Sequence, residues 1–163
     1  MSKLLITGTN FSDKTHTKFI FEKIYAIINN KTDNGDKTDE IIQGASKGVE
    51  LVSLLSSFYL REGIKKDLSD FKLTTVLEDS LDKCYKDKKD FITRYSDDII
   101  EMKNDVSPHD NYQSFKLKNI FMVQRCTDVL AIMTKENSYS RTALAILNIA
   151  KKENKLIHKF YID

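Results

Sequence analysis

The stretch EIIQGASKGVELVSLLSSFYLREG, residues 40–63, decides the fold because a strand, a glycine turn and a helix follow one another within it. The apolar pair Ile41–Ile42 precedes the turn GASKG at 44–48. Beyond the turn, apolar side chains recur every three to four residues, which predicts an amphipathic helix from Ala45 to Arg61. A strand that leads through a glycine turn into a helix is the repeating unit of a parallel α/β sheet.

The same alternation runs along the rest of the chain. Further strands are predicted at KLLIT (3–7), KLTTVL (72–77), DVLAIM (128–133) and LIHKFYI (156–162). Further helices are predicted at about 11–30, with Ser12 or Asp13 as its cap, and at about 80–95, 114–128 and 138–155. Strands that alternate with helix-length connections indicate a parallel sheet covered on both faces. We therefore expect a single α/β Rossmann-like domain over residues 1–163, with a mostly parallel sheet of about five strands and helices on both faces.

The region around 79–112 shows the weakest hydrophobic periodicity in the sequence. It contains the charge-rich runs KDKKD and SDDIIEMKNDVSPHD. After the helix expected near Ser80–Tyr95, we predict a looser polar segment, because such runs are typical of solvated surface. The region is interpreted as a polar helical and loop insertion in the domain.

The composition limits the classes of binding partner and the cell compartment that we expect for the protein. The chain has 163 residues, and 26 Lys and Arg residues face 24 Asp and Glu residues. This balance gives no broad positive surface, so we do not expect binding to nucleic acid or to a membrane surface. No run approaches the ~20 apolar residues of a membrane span, and the first apolar run is too short for a signal peptide. Cys84 and Cys126 form no disulfide framework, and Cys126 is expected to be a buried free thiol. We expect a protein of the bacterial cytoplasm or of the infected host's cytoplasm.

Three predicted strand-to-helix junctions carry residues suited to an anion. They are Gly8–Asn10, Gly44–Gly48 and Ser138–Thr142. Backbone N–H groups and the positive end of the helix dipole meet an anion at such junctions, and glycine lets a phosphate approach the backbone. The hydroxyl donors are Thr9, Ser46, Ser140 and Thr142, and the charges are Lys47 and Arg141. A single junction of this kind is typical of an ordinary turn, but three in one sheet favour an anionic ligand at the strand ends.

No metal or cofactor is expected. The histidines, His16, His109 and His158, share no metal-ligand spacing. The turn at 44–48 matches neither a dinucleotide fingerprint nor a P-loop.

The turn within IIQGASKGVE resembles the hGGARGAD element of the SLOG superfamily. This Rossmann-like group includes the DNA-processing protein A family, the LOG phosphoribohydrolases and small YspA-like bacterial and phage proteins. LLITGTNFSD, KNIFMV and TDVLAIM with SYSRTALAILNIAKKENKLI resemble three further elements in the same chain order. The four stretches cover most of the chain, and the YspA-like branch fits best.

The resemblance implies a nucleotide or a nucleotide-derived ligand over the ends of the first, second and fourth strands. It assigns ligand contacts to Gly8, Thr9, Asn10 (where the family has arginine), Gly44, Ser46, Lys47, Gly48, Lys118, Asn119, Ser140, Arg141 and Thr142. Members of the family often assemble, so a homo-oligomer is expected as well.

An enzymatic activity is less well supported by the motifs. The phosphoribohydrolase branch carries PGGxGTxxE, and Ala145 stands at the position of its acid. Cleavage of an N-glycosidic bond needs a carboxylate, and Glu50 is the remaining candidate for a catalytic group. An acid in the first turn of a helix is also a common structural feature.

Three functions stay open on the sequence. The preferred one is a module that senses or sequesters a nucleotide-derived molecule. The alternatives are a hydrolase or transferase acting on the N-glycosidic bond of a nucleotide, and a protein that binds single-stranded DNA. The missing acid argues against the enzyme, and the small net charge argues against DNA binding.

Overall fold

The computed structural model describes residues 1–10, 16–63, 70–102, 111–135 and 140–162. The strands are β1 Ser2–Gly8, β2 Thr38–Gln43, β3 Lys72–Leu77, β4 Asp98–Glu101, β5 Asp128–Thr134 and β6 Leu156–Ile162. The helices are α1 His16–Asp33, α2 Val49–Gly63, α3 Lys86–Tyr95, α4 Asn111–Arg125 and α5 Arg141–Lys152, and a 3-10 turn covers Leu81–Lys83.

The six strands of the described residues are all parallel, in the order β4-β3-β2-β1-β5-β6. The chain therefore builds outward from β1 in one direction and then restarts at β5 on the other side. The point between β1 and β5 is a topological switch point, beside which α/β proteins commonly bind ligands. The predicted single Rossmann-like α/β domain is confirmed.

The two faces of the sheet bury alternate residues of the same strands. Leu4 and Ile6 of β1 pack with α1 and α2, whereas Leu5 packs with Met122 of α4 and Ile146 of α5. Because both faces are covered, β1 reads as a continuous apolar run rather than as an alternating one. This explains why short apolar runs were sufficient to predict the strands.

The structure differs from the predictions at β4 and at several helix ends, including α4, which covers Asn111–Arg125 rather than 114–128, and α5, which ends at Lys152 rather than at 155. A sixth strand, β4, lies in the segment that was predicted to be loosely structured. It is an edge strand whose four residues are all half-buried, so it has no apolar run to reveal it.

The helix predicted from about 80 is a 3-10 turn followed by α3, and α2 begins at Val49 rather than at Ala45. The proposed caps Ser12 and Asp13 lie outside the described residues, and the bounds of the insertion stay a prediction.

A buried network of charges holds the edge of the sheet at which the strands begin. Glu40 of β2 is almost fully buried and accepts hydrogen bonds from Arg125, at 2.9 Å for the shortest, and from Thr74. Burial would raise the pKa of the Glu40 carboxyl, but these hydrogen bonds and the charges of Arg125 and Lys3 hold the pKa below its ordinary value. The network therefore requires an ionised carboxylate in the folded state.

Asp128, at the start of β5, forms the second part of this edge. Its carboxylate contacts Lys31 at 2.9 Å and His158 at 3.1 Å, and it is almost fully buried. Burial would raise the pKa of Asp128, but hydrogen bonds from His158, Lys31 and Thr127 outweigh that effect and bring the pKa to about 2. Nearby, Cys126 is a free cysteine and is buried, as predicted, and burial raises the pKa of its thiol to about 12.

Among the described residues, no helix combines the length and the apolar character required to cross a bilayer.

The lowered pKa of Asp128 predicts a pH dependence of stability. The carboxyl is protonated more easily in the unfolded chain, so its contribution is complete above about pH 4 and is lost as the pH falls toward about 2. Asp128→Asn should therefore lower the free energy of unfolding by roughly 2 kcal/mol at neutral pH. The difference from wild type should shrink between pH 4 and pH 2, as measured by urea denaturation. Asp90→Asn, at an exposed position of α3, is the control. A difference that stays constant down to pH 2 would contradict the account.

Candidate functional site

The predicted junctions meet at the edge of the sheet where the strands end. The backbone N–H of Val49, at the start of α2, donates to the carbonyl of Thr9 at 3.2 Å. The N–H of Thr9 donates to the carbonyl of Ile132 in β5 at 3.1 Å. The hydroxyl of Ser140, before α5, donates to the carbonyl of Gly8 at 3.2 Å. Gly8 and Thr9 therefore connect β5 with the starts of α2 and α5.

Close packing explains the glycine at position 8. A Cβ on Gly8 would lie 2.1 Å from the carbonyl oxygen of Ile132 and 2.5 Å from Cγ2 of Val49. Thr9 is buried, and its hydroxyl accepts the N–H of Thr134 at 3.0 Å. These contacts give both residues a structural role, and their predicted contact with a ligand stays a prediction.

The turn at 44–48 folds around the carboxylate of Glu50. The side chain of Glu50 is buried in the first turn of α2, and its Oε2 accepts the backbone N–H of Ser46 at 2.8 Å. Its Oε1 accepts the hydroxyl of Thr7 at 3.4 Å. A Cβ on Gly44 would lie 2.6 Å from Glu50 Oε2, and Gly48 has a φ of 87°, in the left-handed region that glycine tolerates best. Glu50 and the two glycines thus fix the path of the turn.

A cavity of about 290 Å³ opens beside this turn, at the ends of β2 and β3. Its apolar wall comes from Ala45, Val76 and Leu77. Its polar lining includes Ser46, the acids Glu78 and Asp79, and the lysines Lys83, Lys88 and Lys118. The cavity thus combines an apolar wall with cations and hydrogen-bonding groups, which is typical of small-molecule sites.

Lys118 of α4 is the most unusual group in this cavity. Its side chain is only 5% exposed, and its ammonium lies 3.4 Å from Oε1 of Glu78. Lys83 is mostly exposed and pairs with Asp79 at 2.5 Å. Lys88 has no ion-pair partner among the residues that the structure describes. Among the described residues of the lining, cations therefore outnumber acids, and one of the cations is buried.

Asn119 and Arg141 lie in a second cavity, a groove of about 680 Å³ between α4 and α5. Asn119 is fully buried, and neither its amide nitrogen nor its amide oxygen has a hydrogen-bond partner among the residues that the structure describes. The guanidinium of Arg141 lies 6.0 Å from the ring centre of Tyr112 and 5.9 Å from that of Phe115. The predicted site residues on α4 therefore divide: Lys118 faces the cavity at the ends of β2 and β3, and Asn119 faces the groove.

The remaining predicted residues lie at the three junctions. Asn10 and Lys47 are exposed, and Thr142 is half-buried in the first turn of α5. The hydroxyl of Ser140 caps α5 by accepting the N–H of Ala143 at 3.4 Å. The first two residues of the third junction, Ser138 and Tyr139, and also His109, lie outside the described residues.

Sequence reasoning missed the acids and two of the lysines of the smaller cavity. Glu78 and Asp79 follow β3 directly, so the strand end alone could have marked them as site residues. Lys83 and Lys88 carried no signal, because they belong to a charge-rich segment that resembles ordinary surface.

No protein-family model and no curated protein sequence matches the chain. Among solved structures, the X-ray structure of TM1055, a Northeast Structural Genomics Consortium target, matches 96% of this chain and 72% of its own with a TM-score of 0.57. The chain shares a Rossmann-like fold with that protein. The sequence identity is 12%, so the likeness concerns the fold alone.

The contact between Gly44 and Glu50 predicts a non-additive pair of substitutions. Gly44→Ala should push the carboxylate away from the N–H of Ser46 and lower the free energy of unfolding by roughly 1–3 kcal/mol. In a Glu50→Ala background the new methyl group meets no carboxylate, so the same change should cost clearly less. Urea denaturation of the four proteins measures the coupling.

Gly63→Ala is the matched control, because no atom of the described residues lies within 4 Å of a Cβ there. Equal costs of Gly44→Ala in both backgrounds would show that Glu50 does not shape the turn.

Proposed function

We propose that the chain binds a nucleotide or a nucleotide-derived small molecule at the ends of β2 and β3, as a sensor or a sequestering module. The observation that carries this proposal is the buried ammonium of Lys118 in the wall of the cavity. A buried cation is costly unless an anion or several hydrogen bonds compensate it. The contact with Glu78 is long at 3.4 Å, compared with 2.8 Å between Lys72 and Asp98. A phosphate group near Lys118 would provide stronger compensation.

The position of the cavity supports the same proposal. In open α/β sheets, ligands bind beyond the carboxyl ends of the strands. The cavity lies at the ends of β2 and β3, and Ser46 connects it with the turn built around Glu50. Its volume of about 290 Å³ is at the lower end for small-molecule sites, which suits a sugar phosphate or a phosphate with part of a nucleoside.

The contacts of the acids favour binding over hydrolysis. Both oxygens of Glu50 accept hydrogen bonds from the protein itself, so Glu50 acts in this proposal as a positioning residue for the turn. Its catalytic assignment stays a prediction. Asp79 in the cavity accepts the N–H of Ser80 at 2.7 Å and pairs with Lys83. The position that carries the acid in the phosphoribohydrolase motif is Ala145, on the wall of the groove.

The homo-oligomer and the cytoplasmic location stay predictions of the sequence. Light scattering coupled to size-exclusion chromatography would measure the mass of the assembly directly.

Thermal denaturation with a panel of nucleotides, cyclic nucleotides and ADP-ribose derivatives tests the proposed binding. A ligand at about 100 times its dissociation constant should raise the melting temperature by roughly 5–10 °C. Lys118→Met should weaken binding of that ligand about tenfold or more, since it removes the buried cation. Calorimetric titration measures the change.

Lys116→Met is the control on the same helix, because Lys116 lines the groove and not the smaller cavity. Loss of binding in Lys116→Met together with normal binding in Lys118→Met would move the site to the groove. A panel in which no compound shifts the melting temperature would contradict the proposed function.

A further inference from the structure

We infer that Glu78 is a built-in counter-ion of the cavity, which an anionic ligand must displace from Lys118 before it can bind. This inference rests on the proposed function, because it concerns the same cavity. It assigns Glu78 a role in specificity: ligands that cannot replace a carboxylate beside Lys118 are excluded.

The two partners of this ion pair differ in their freedom to move. The side chain of Lys118 is 5% exposed, whereas that of Glu78 is 39% exposed. Glu78 lies directly after the last residue of β3, and its carboxylate can turn into water without leaving the surface. The ammonium of Lys118, by contrast, stays buried in the wall of the cavity. Displacement of the acid therefore requires the movement of one exposed side chain.

The geometry of the contact also favours exchange. Oε1 of Glu78 lies 3.4 Å from the ammonium, beyond the 2.7–2.9 Å that is typical of a strong charge-assisted hydrogen bond. Asp79 is held more firmly, since it also accepts the backbone N–H of Ser80 at 2.7 Å. Glu78 is thus the acid in the cavity lining that a ligand can replace most easily.

Lys88 also favours the replacement of Glu78 by an anionic ligand. It lines the same cavity and has no ion-pair partner in the described part of the chain. Glu78 carries a single negative charge, but a phosphate group carries between one and two at neutral pH and three acceptor oxygens. A phosphate can therefore contact Lys118 and attract Lys88, whereas an uncharged molecule would leave Lys118 paired with Glu78.

If Glu78 instead bound the ligand directly, its removal would have the opposite effect on ligand binding. If its carboxylate accepted hydrogen bonds from hydroxyl groups of the ligand, its removal would weaken binding. If it is a counter-ion, its removal should strengthen binding, because the ligand no longer competes with it.

Glu78→Gln separates the two roles, with inorganic phosphate as the probe and sodium chloride of equal ionic strength as the reference. Without phosphate, the variant should melt a few degrees below wild type, because the buried ammonium has lost its partner. It should bind phosphate about tenfold more tightly than wild type, since a like charge has been removed from beside the bound anion. Calorimetric titration and thermal denaturation measure these changes.

Glu22→Gln, on the exposed face of α1, removes the same charge away from the cavity and should bind phosphate as wild type does. If Glu78→Gln does not fold, Glu78→Asp, which draws the carboxylate back by one methylene, should show a smaller gain in affinity. If the variant that folds binds phosphate no more tightly than wild type does, the inference is overturned. The proposed function still stands in that case if the wild type binds a nucleotide. Absence of phosphate binding in every variant would also overturn the inference, and the proposed function would fall with it only if the nucleotide panel gave no shift either.

Discussion

The edge of the sheet where the strands end depends on one constraint, which is the close approach of Gly8 to β5 and α2. A side chain at this position would occupy the space of the Ile132 carbonyl and the Val49 side chain. With glycine there, the backbone of Thr9 can bond to both β5 and the start of α2. That docking fixes where α2 begins, and hence where the turn at 44–48 wraps around Glu50. The cavity lies beside this turn, at the ends of β2 and β3.

The two edges of the sheet use charge in different ways. Where the strands begin, Glu40 and Asp128 are buried carboxylates with several short contacts each, and the pKa of each lies below its ordinary value. Where the strands end, Lys118 is a buried cation whose ion pair within the described residues, with Glu78, is long at 3.4 Å. Satisfied buried charges keep a fold in one arrangement, whereas a buried charge with a weak partner can exchange that partner for a ligand. This difference places stability at one edge and the proposed binding at the other.

Much of the fold could be predicted because the sheet is parallel and buried on both faces. Short apolar runs then mark strands directly, and β3 was predicted with the bounds that the structure gives it. β4 could not be predicted in this way, since it is a half-buried edge strand with an acid at each end. Lys118 was indicated by a resemblance of motifs, and helical periodicity gives no sign that this lysine is buried. Its contact with Glu78 joins residues far apart in the chain, so only the folded structure brings the pair together.

A crystal structure of the protein with a phosphate-containing ligand from the nucleotide panel tests the central claim most directly. Phosphate oxygens should lie within hydrogen-bond distance of the Lys118 ammonium, and the Glu78 carboxylate should have turned away from it. A ligand bound in the groove between α4 and α5, with the contact between Lys118 and Glu78 still intact, would contradict the account.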